Sequence, residues 1–599
     1  GELPAFAALA RSGGWSRLGT TTPPQSPVAW STFLTGTGPG RHGVFDFIHR
    51  DPATLRLVLS MTRVEPPGHV VSIGDWRLPL EAPAIERVRS GAPFWSRIAE
   101  AGHPVLALKV PAEYPPTPGA AAELAGMGVP DLAGTYGEFH YYTDRPAGLD
   151  QGTASGRIHV GRALAGRVEA SLPGPPNTLR AGSPRLSVPI RVALDPEVPG
   201  ASVEVGGTTT VLVEGSWSEW IPVEFDAGPL APSVTGMCRL FLRKVRPWFG
   251  LFVSPVHVDP LDPELPISEP DDLCCALAER IGRYHKKGMP EETGALGAHV
   301  LSDAEFLSQV DLVLAEADRL LDAALSDFRG GLLFHYVSSS DLVSHVFWRA
   351  IDPGHPAGPA DLPAGADPIA DVYRRLDRTL ARVVERAGPD ATVVVLSDHG
   401  FAPYRRSFDV NAWLEAEGWL VLRPGAPRDL SGVDWSRTRA YAAGFSGLYV
   451  NRAGREGRGI VSPGEFREVR DEIARRLEAL IDPATGGRVF HRVDRGEDAF
   501  SGDRAAEGPD LVLGYSRGWR TSNGSALGRV GSEVLFDNRE AWSGDHLMAA
   551  ELVPGVLVTN RPLRADRRPS IIDLAPTILA EFGLPADGLE GEDLFVRED

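Results

Sequence analysis

Two short apolar runs, from Gly330 to Val337 and from Ala391 to Leu396, each stop shortly before a carboxylate, Asp341 and Asp398. Between them Ile369, Val372, Leu376, Leu380 and Val383 recur at the spacing of one helix face. Strands that are apolar throughout and are joined through a helix belong to a mostly parallel sheet covered on both faces. Ligands bind such sheets beyond the carboxyl ends of the strands. The pattern points to an α/β fold and to the end of the sheet where chemistry is to be sought.

The first 149 residues read the same way. A helix-like run from Leu3 to Arg11 leads to Leu18 and a Thr/Pro-rich loop, Thr20 to Pro24. A second such run, Pro27 to about Thr35, is stopped by Gly36, Gly38, Pro39 and Gly40. Pro104 to Val110 reads as a buried strand. Residues 150–268 change character: Leu186 to Leu194, Ala201 to Val213 and Trp220 to Phe225 alternate or are β-branched, with Gly and Pro between them. That predicts an antiparallel, β-rich insertion or cap. From 269 to 599 the α/β pattern returns. At 599 residues the chain exceeds one simple core, so a large catalytic core interrupted by this insertion is expected.

Composition narrows the function. With 60 basic and 79 acidic residues the net charge is −19, and no basic block stands out. A nucleic acid polymer is therefore not expected as a partner. A small anionic substrate fits if metal ions supply the positive charge. Cys238, Cys274 and Cys275 form neither a disulfide framework nor a zinc-cysteine cluster, which suits a reducing, cytoplasmic setting. No apolar run of about 18 residues and no signal peptide is visible. Oligomeric state is not legible.

Four separated fragments carry the chemistry: Ser26, Asp341 with His345, Asp398 with His399, and His546. Asp341 and His345 are four apart, so a helix places both on one face, able to share a metal. Asp398-His399-Gly400 follows a strand, and Gly400 permits the turn that brings both side chains inward. Ser26 precedes Pro27 and a helix; Ser at the cap with Pro next is also plain helix chemistry. The same geometry presents free N–H groups to a phosphate, and a metal-bound Ser hydroxyl there could attack phosphorus. His546 sits in Trp542-Ser543-Gly544-Asp545-His546, where Asp545 either orients it or is solvated. His42 and His335 read as structural. Carboxylates and imidazoles suit zinc, with manganese as the alternative.

The stretches TTPPQSPVAWSTFLTGTGPGRHGVFDF, GMGVPDLAGTYGEFHYYT, SSSDLVSHVFWR, LSDHGFAPYRRSFDVNAWL, WSGDHLM and PSIIDLAPTILAEFG together resemble the alkaline phosphatase superfamily. The nearest branch is the type I phosphodiesterase/nucleotide pyrophosphatase group, with its predicted phosphohydrolase/phosphomutase relatives. The resemblance implies an alkaline-phosphatase-like sheet flanked by helices and a two-metal phosphoryl-transfer site. It places Asp341, His345 and His546 on one ion, and Asp398, His399 and the Ser26 oxygen on the other. It makes Ser26 the nucleophile of a phospho-enzyme. A phosphodiesterase is the leading expectation. A phosphomutase or phosphomonoesterase, and a non-catalytic protein with a degenerate metal site, are the alternatives.

Two departures shape that expectation. The family carries an N-terminal strand ending in an Asp of the second metal site, whereas only Glu2 precedes Ser26 as a carboxylate here. The chain is expected to be truncated at its start or to have lost that ligand. Diesterase relatives also place a phosphate-contacting Asn after the His-Gly pair, where this chain has Phe47. Lys109, Arg405, Arg406 and Asn523 are the candidates to replace it, each also readable as a surface charge or loop residue. Ser26-Pro27-Val28-Ala29-Trp30 lacks the Arg offset of sulfatases, so sulfate esters are not expected.

Overall fold

The computed structural model describes residues 2–597 other than 82, 120, 136 and 230. Tyr136 of the second quoted stretch thus lies outside the described residues. The strands that position the site are β1 (Gly14–Leu18), β2 (Val105–Val110), β3 (Ala122–Ala125), β4 (Leu332–His335), β5 (Val394–Leu396) and β6 (Gly555–Thr559). They form two ladders. In the first, β6 lies between β1 and β5 and is antiparallel to both. In the second, β2 lies between β3 and β4 and is parallel to both, with the short strand Ser268–Glu269 on the far side of β3.

Four helices bear on the site: α1 (Pro4–Ser12), α2 (Ser26–Thr35), α3 (Ser339–Ile351) and α4 (Pro368–Ala387). All ten residues of α2 are buried. Trp30 and Phe33 meet Phe334 of β4 at centroid distances of 6.0 and 5.7 Å, and Phe33 meets Phe94 edge-on at 5.5 Å. Burying each such ring contributes about 1.5–3 kcal/mol. Phe33→Ala would cost roughly 3–5 kcal/mol. Gly36 ends α2 in the left-handed region at φ 61°, returning its N–H to Thr32 O. The apolar stripe of α4 buries Val372 and Leu380, and Asp367 caps its start by accepting the N–H of Ala370.

In the β-rich part, Arg167–Pro176, Arg185–Leu194, Gly200–Val205 and Thr208–Val213 form a four-stranded antiparallel meander. Val188, Ile190 and Val192 point inward between exposed neighbours, the alternation expected of a sheet with one wet face. Its five-stranded companion is not wholly antiparallel. Phe139–Thr143, ahead of residue 150, pairs in parallel with Gly156–Val160. All five residues of Phe139–Thr143 are buried, so no alternation marks it in the sequence. No helix among the described residues is long and apolar enough to cross a membrane.

Candidate metal centre and nucleophile

Every fragment of the proposed site stands at an element end. Asp341 lies in the first turn of α3, where the positive end of the helix dipole favours a carboxylate. His345 follows one turn later, with its Nε2 3.6 Å from Asp341 Oδ2. Asp398 and His399 follow β5, whose ladder with β6 extends through Ser397. Gly400 is needed at the bend, because a Cβ there would meet Pro554 O at 2.4 Å. Gln25, extended at φ −118° and ψ 138°, takes the cap position of α2, and Ser26 is its first helical residue. The expectation that Ser26 itself caps the helix is thus displaced by one residue. Its Oγ, free of capping, lies 3.0 Å from His399 Nε2.

The three histidines are oriented by one device. His345 Nδ1 meets Gly544 O at 2.8 Å, His399 Nδ1 meets Gly400 O at 3.2 Å, and His546 Nδ1 meets Pro24 O at 2.6 Å. A carbonyl only accepts, so each Nδ1 carries the proton and donates it. Burial lowers all three imidazoles, His399 to about 4 and His546 to about 3. Each ring is therefore neutral, and each Nε2 offers a lone pair.

Those lone pairs face oxygen. His399 Nε2 is 3.2 Å from Asp398 Oδ2 and 3.9 Å from Asp341 Oδ1, and both oxygens lack a hydrogen-bond donor. Burial raises both carboxyls, Asp398 to about 6, and the charge of Asp398 pushes Asp341 up further. Acceptors crowded together without a donor are costly in a buried site. One ligand atom each from Asp341, His399 and His546 lies within 4.8 Å of the others. Imidazole nitrogen and carboxylate oxygen are the donors zinc and manganese take, so the residues present fit a divalent cation. This trio cuts across the division into two ion sites that the resemblance implies.

Asp545 is buried and tied down. Its Oδ1 accepts the backbone N–H groups of His546 and Leu547, and its Oδ2 accepts from Arg520 at 2.5 Å and from the Trp542 indole at 2.8 Å. Burial alone would raise its carboxyl, but the Arg520 guanidinium, helped by the Leu547 N–H, outweighs it and holds the group well below the usual range. Asp545 thus positions His546 through the backbone, not through the ring. Trp542 stacks on His345 at 3.7 Å between centroids.

The four substrate-contact candidates are held elsewhere or turned inward. Arg405 is paired with Asp352, and Arg406 with Asp482 and Asp537. Asn523 accepts from Arg520. Lys109, one residue before the end of β2, is buried with φ 57°, and burial lowers its ammonium. His42 is structural: buried, it meets Thr32 Oγ1 at 3.0 Å. His335, on β4, is half-buried, with neither nitrogen paired.

Three buried residues escaped the sequence reading. Arg520 secures Asp545. Glu291 accepts from Ser339 Oγ at 2.5 Å, and its charge helps raise Asp341. Asp46 accepts the N–H groups of Phe445 and Ser446, both at 2.9 Å, and so braces the loop that Gln25 also holds. None has a spacing signal: the partner of Arg520 lies 25 residues away, that of Glu291 48, and those of Asp46 399 and 400.

The family model described as type I phosphodiesterase / nucleotide pyrophosphatase matches residues 1–150 and 285–541. No curated protein matches. Among solved structures, phosphonoacetate hydrolase from Sinorhizobium meliloti in complex with phosphonoformate is 13% identical at a TM-score of 0.42, covering 96% of this chain and 88% of its own. Murine ectonucleotide pyrophosphatase / phosphodiesterase 5 is 11% identical at 0.40, covering 98% and 92%. Wild-type alkaline phosphatase PafA is 13% identical at 0.41, covering 99% and 93%. At these scores the likenesses carry no argument about this chain's chemistry.

Proposed function

The chain belongs to the type I phosphodiesterase / nucleotide pyrophosphatase family, and from that membership we propose that it is a metal-dependent phosphodiesterase with Ser26 as nucleophile. The carrying observation is the convergence of neutral imidazole nitrogens and unpaired carboxylate oxygens beside the Ser26 hydroxyl. Asp341, His345 and His546 would hold one divalent ion, and Asp398, His399 and the Ser26 oxygen a second. Bound there, zinc or manganese supplies positive charge for the phosphoryl oxygens and acidifies a coordinated hydroxyl.

The chain's own groups do the rest. The start of α2 fixes Ser26 on a rigid, wholly buried helix, so its Oγ is held and not searching rotamers. Asp398 lies within reach of the Ser26 proton, while the one free lone pair of His399, on Nε2, is kept for the ion. Ser26 Oγ would bond to phosphorus, its proton passing to Asp398, as the P–O bond to the leaving group breaks and that group departs as an alkoxide; water would then attack the phosphoseryl ester, releasing the phosphate product and restoring the Ser26 hydroxyl. The substrate is a small phosphate ester, and three free cysteines fit a cytoplasmic setting.

The test is turnover of bis(p-nitrophenyl) phosphate and p-nitrophenyl phosphate by metal-replete protein, before and after chelation. Diester cleavage abolished by chelator and restored by zinc or manganese is expected. Cleavage of the monoester alone would make the protein a phosphomonoesterase. Transfer of phosphate to an added alcohol would make it a mutase. No turnover at full metal occupancy would leave a binding protein.

A further inference from the structure

One buried side chain next to the nucleophile holds two aromatic segments together. Gln25, the cap of α2, accepts the Phe47 N–H on Oε1 at 2.8 Å and donates from Nε2 to Ser446 Oγ at 3.2 Å. Asp46 accepts the N–H groups of Phe445 and Ser446. Gly444, at φ 78°, allows the two segments to approach, because a Cβ there would meet Ile48 O at 2.4 Å. The clasp sets the rings of Phe47 and Phe445 edge to face, 6.4 Å between centroids.

The pair is fastened to both halves of the centre. Phe47 is bonded to the residue before Ser26. Phe445 lies under the Arg520 guanidinium at 5.2 Å, and Arg520 pairs with Asp545, whose Oδ1 accepts the His546 N–H. Both rings are only half-buried, although their backbones are pinned. Phe47 borders the cluster around Trp30 and Phe33, and Phe445 packs into no buried apolar cluster among the described residues. A ring held rigid yet left half-open adds little to the core, and such rings wall small-molecule sites. Charge narrows the occupant. Arg520, the cation at the pair, is engaged by Asp545 and Asn523, and Asp46 by backbone N–H groups. A charged substituent would find no free partner in these groups.

We propose that Phe47 and Phe445 form the subsite for the substituent that stays on phosphorus, and that they select an uncharged aryl group there. Phe47 is fastened beside the nucleophile, and an in-line leaving group departs on the opposite side of phosphorus, so the pair meets the group that is retained. A third ring joins an edge-to-face pair at centroid distances of about 4.5–7 Å, a contact that a methyl group does not reproduce. The preferred substrate is then an aryl phosphodiester. The inference rests on the reading of the Ser26 centre as a phosphodiesterase and names the class of diester it takes.

The test compares phenyl p-nitrophenyl phosphate with methyl p-nitrophenyl phosphate on the metal-replete full chain, so that the leaving group is shared and the retained group differs. The phenyl ester is expected to lead in kcat/KM by at least about tenfold, the lower end of what a difference in apolar contact supplies. Phe445→Ala, with Phe445→Leu in its place should the first not fold, is expected to lower that ratio at least about fivefold. Equal kcat/KM for the two esters, or a ratio that neither variant moves, would overturn the subsite and leave the hydrolase reading standing. Calorimetry on Ser26→Ala protein, with diphenyl against dimethyl phosphate, reads the same preference without turnover. Where neither ester is cleaved, the hydrolase reading fails and the calorimetry alone decides the subsite. A diphenyl preference that the Phe445 substitution removes upholds it, and equal binding of the two phosphates overturns it.

Discussion

His546 donates its Nδ1–H to the carbonyl of Pro24 at 2.6 Å, across 522 residues of chain. The bond ties a proposed metal ligand to the loop that delivers Ser26 two residues later. Loss of the ring removes a donor for the cation and the anchor of that loop together. His546→Ala is expected to lower bound metal by at least one ion and kcat/KM by more than about 100-fold, beyond the usual 10–100-fold for outer partners of a metal site. Elemental analysis beside steady-state kinetics checks both. Unchanged metal content would remove His546 from the ligand set.

Ser26 Oγ lies 3.0 Å from His399 Nε2 and within hydrogen-bonding reach of Asp398. Removing it leaves α2 packed by Trp30 and Phe33. Ser26→Ala is therefore expected to keep the wild-type melting temperature yet lose at least about 10³-fold in turnover, the scale set by removal of other nucleophiles. Intact-protein mass spectrometry on acid-quenched wild type should show one added phosphoryl group that the variant lacks. Turnover near the wild-type rate in the variant would exclude Ser26 as nucleophile.

Arg520 is buried and pairs with the buried Asp545. Taking one partner from a buried pair costs about 3–5 kcal/mol, because the other charge stays behind. Arg520→Leu should melt well below wild type. Adding Asp545→Asn should recover part of the loss, and a double-mutant cycle measures how much. Additive losses would show that the two side chains do not stabilise one another.

The strands flanking Asp341 and Asp398 were legible because burial on both faces writes an unbroken apolar run, and α4 because its stripe keeps a helical period. The i, i+4 spacing of Asp341 and His345 was legible for the same reason: both sit on one short helix. Arg520, Glu291 and Asp46 were not, since what defines each is a partner brought close only by folding. The parallel pairing of Phe139–Thr143 was hidden by burial on both faces. Arg405 and Arg406, close in sequence to Asp398, were drawn to Asp352, Asp482 and Asp537 because adjacent residues on a strand point to opposite faces.

Asp46 offers a pH test away from the proposed ligands. Burial raises its carboxyl from 3.8 to about 6, against the three backbone N–H groups and Gln25 that favour the charged form. A folded-state value above the unfolded one means the folded protein holds a proton that the unfolded chain has released. The stability this contributes is complete below about pH 3.8 and is lost as pH rises through about 6. A shift of about two units corresponds to roughly 3 kcal/mol. Asp46→Asn cannot ionise, and its amide oxygen can still accept from Phe445 and Ser446. The variant's melting temperature relative to wild type should therefore climb between pH 4.5 and pH 8. A constant difference across that range would mean that Asp46 is already ionised in the folded protein, held by those N–H groups in spite of its burial.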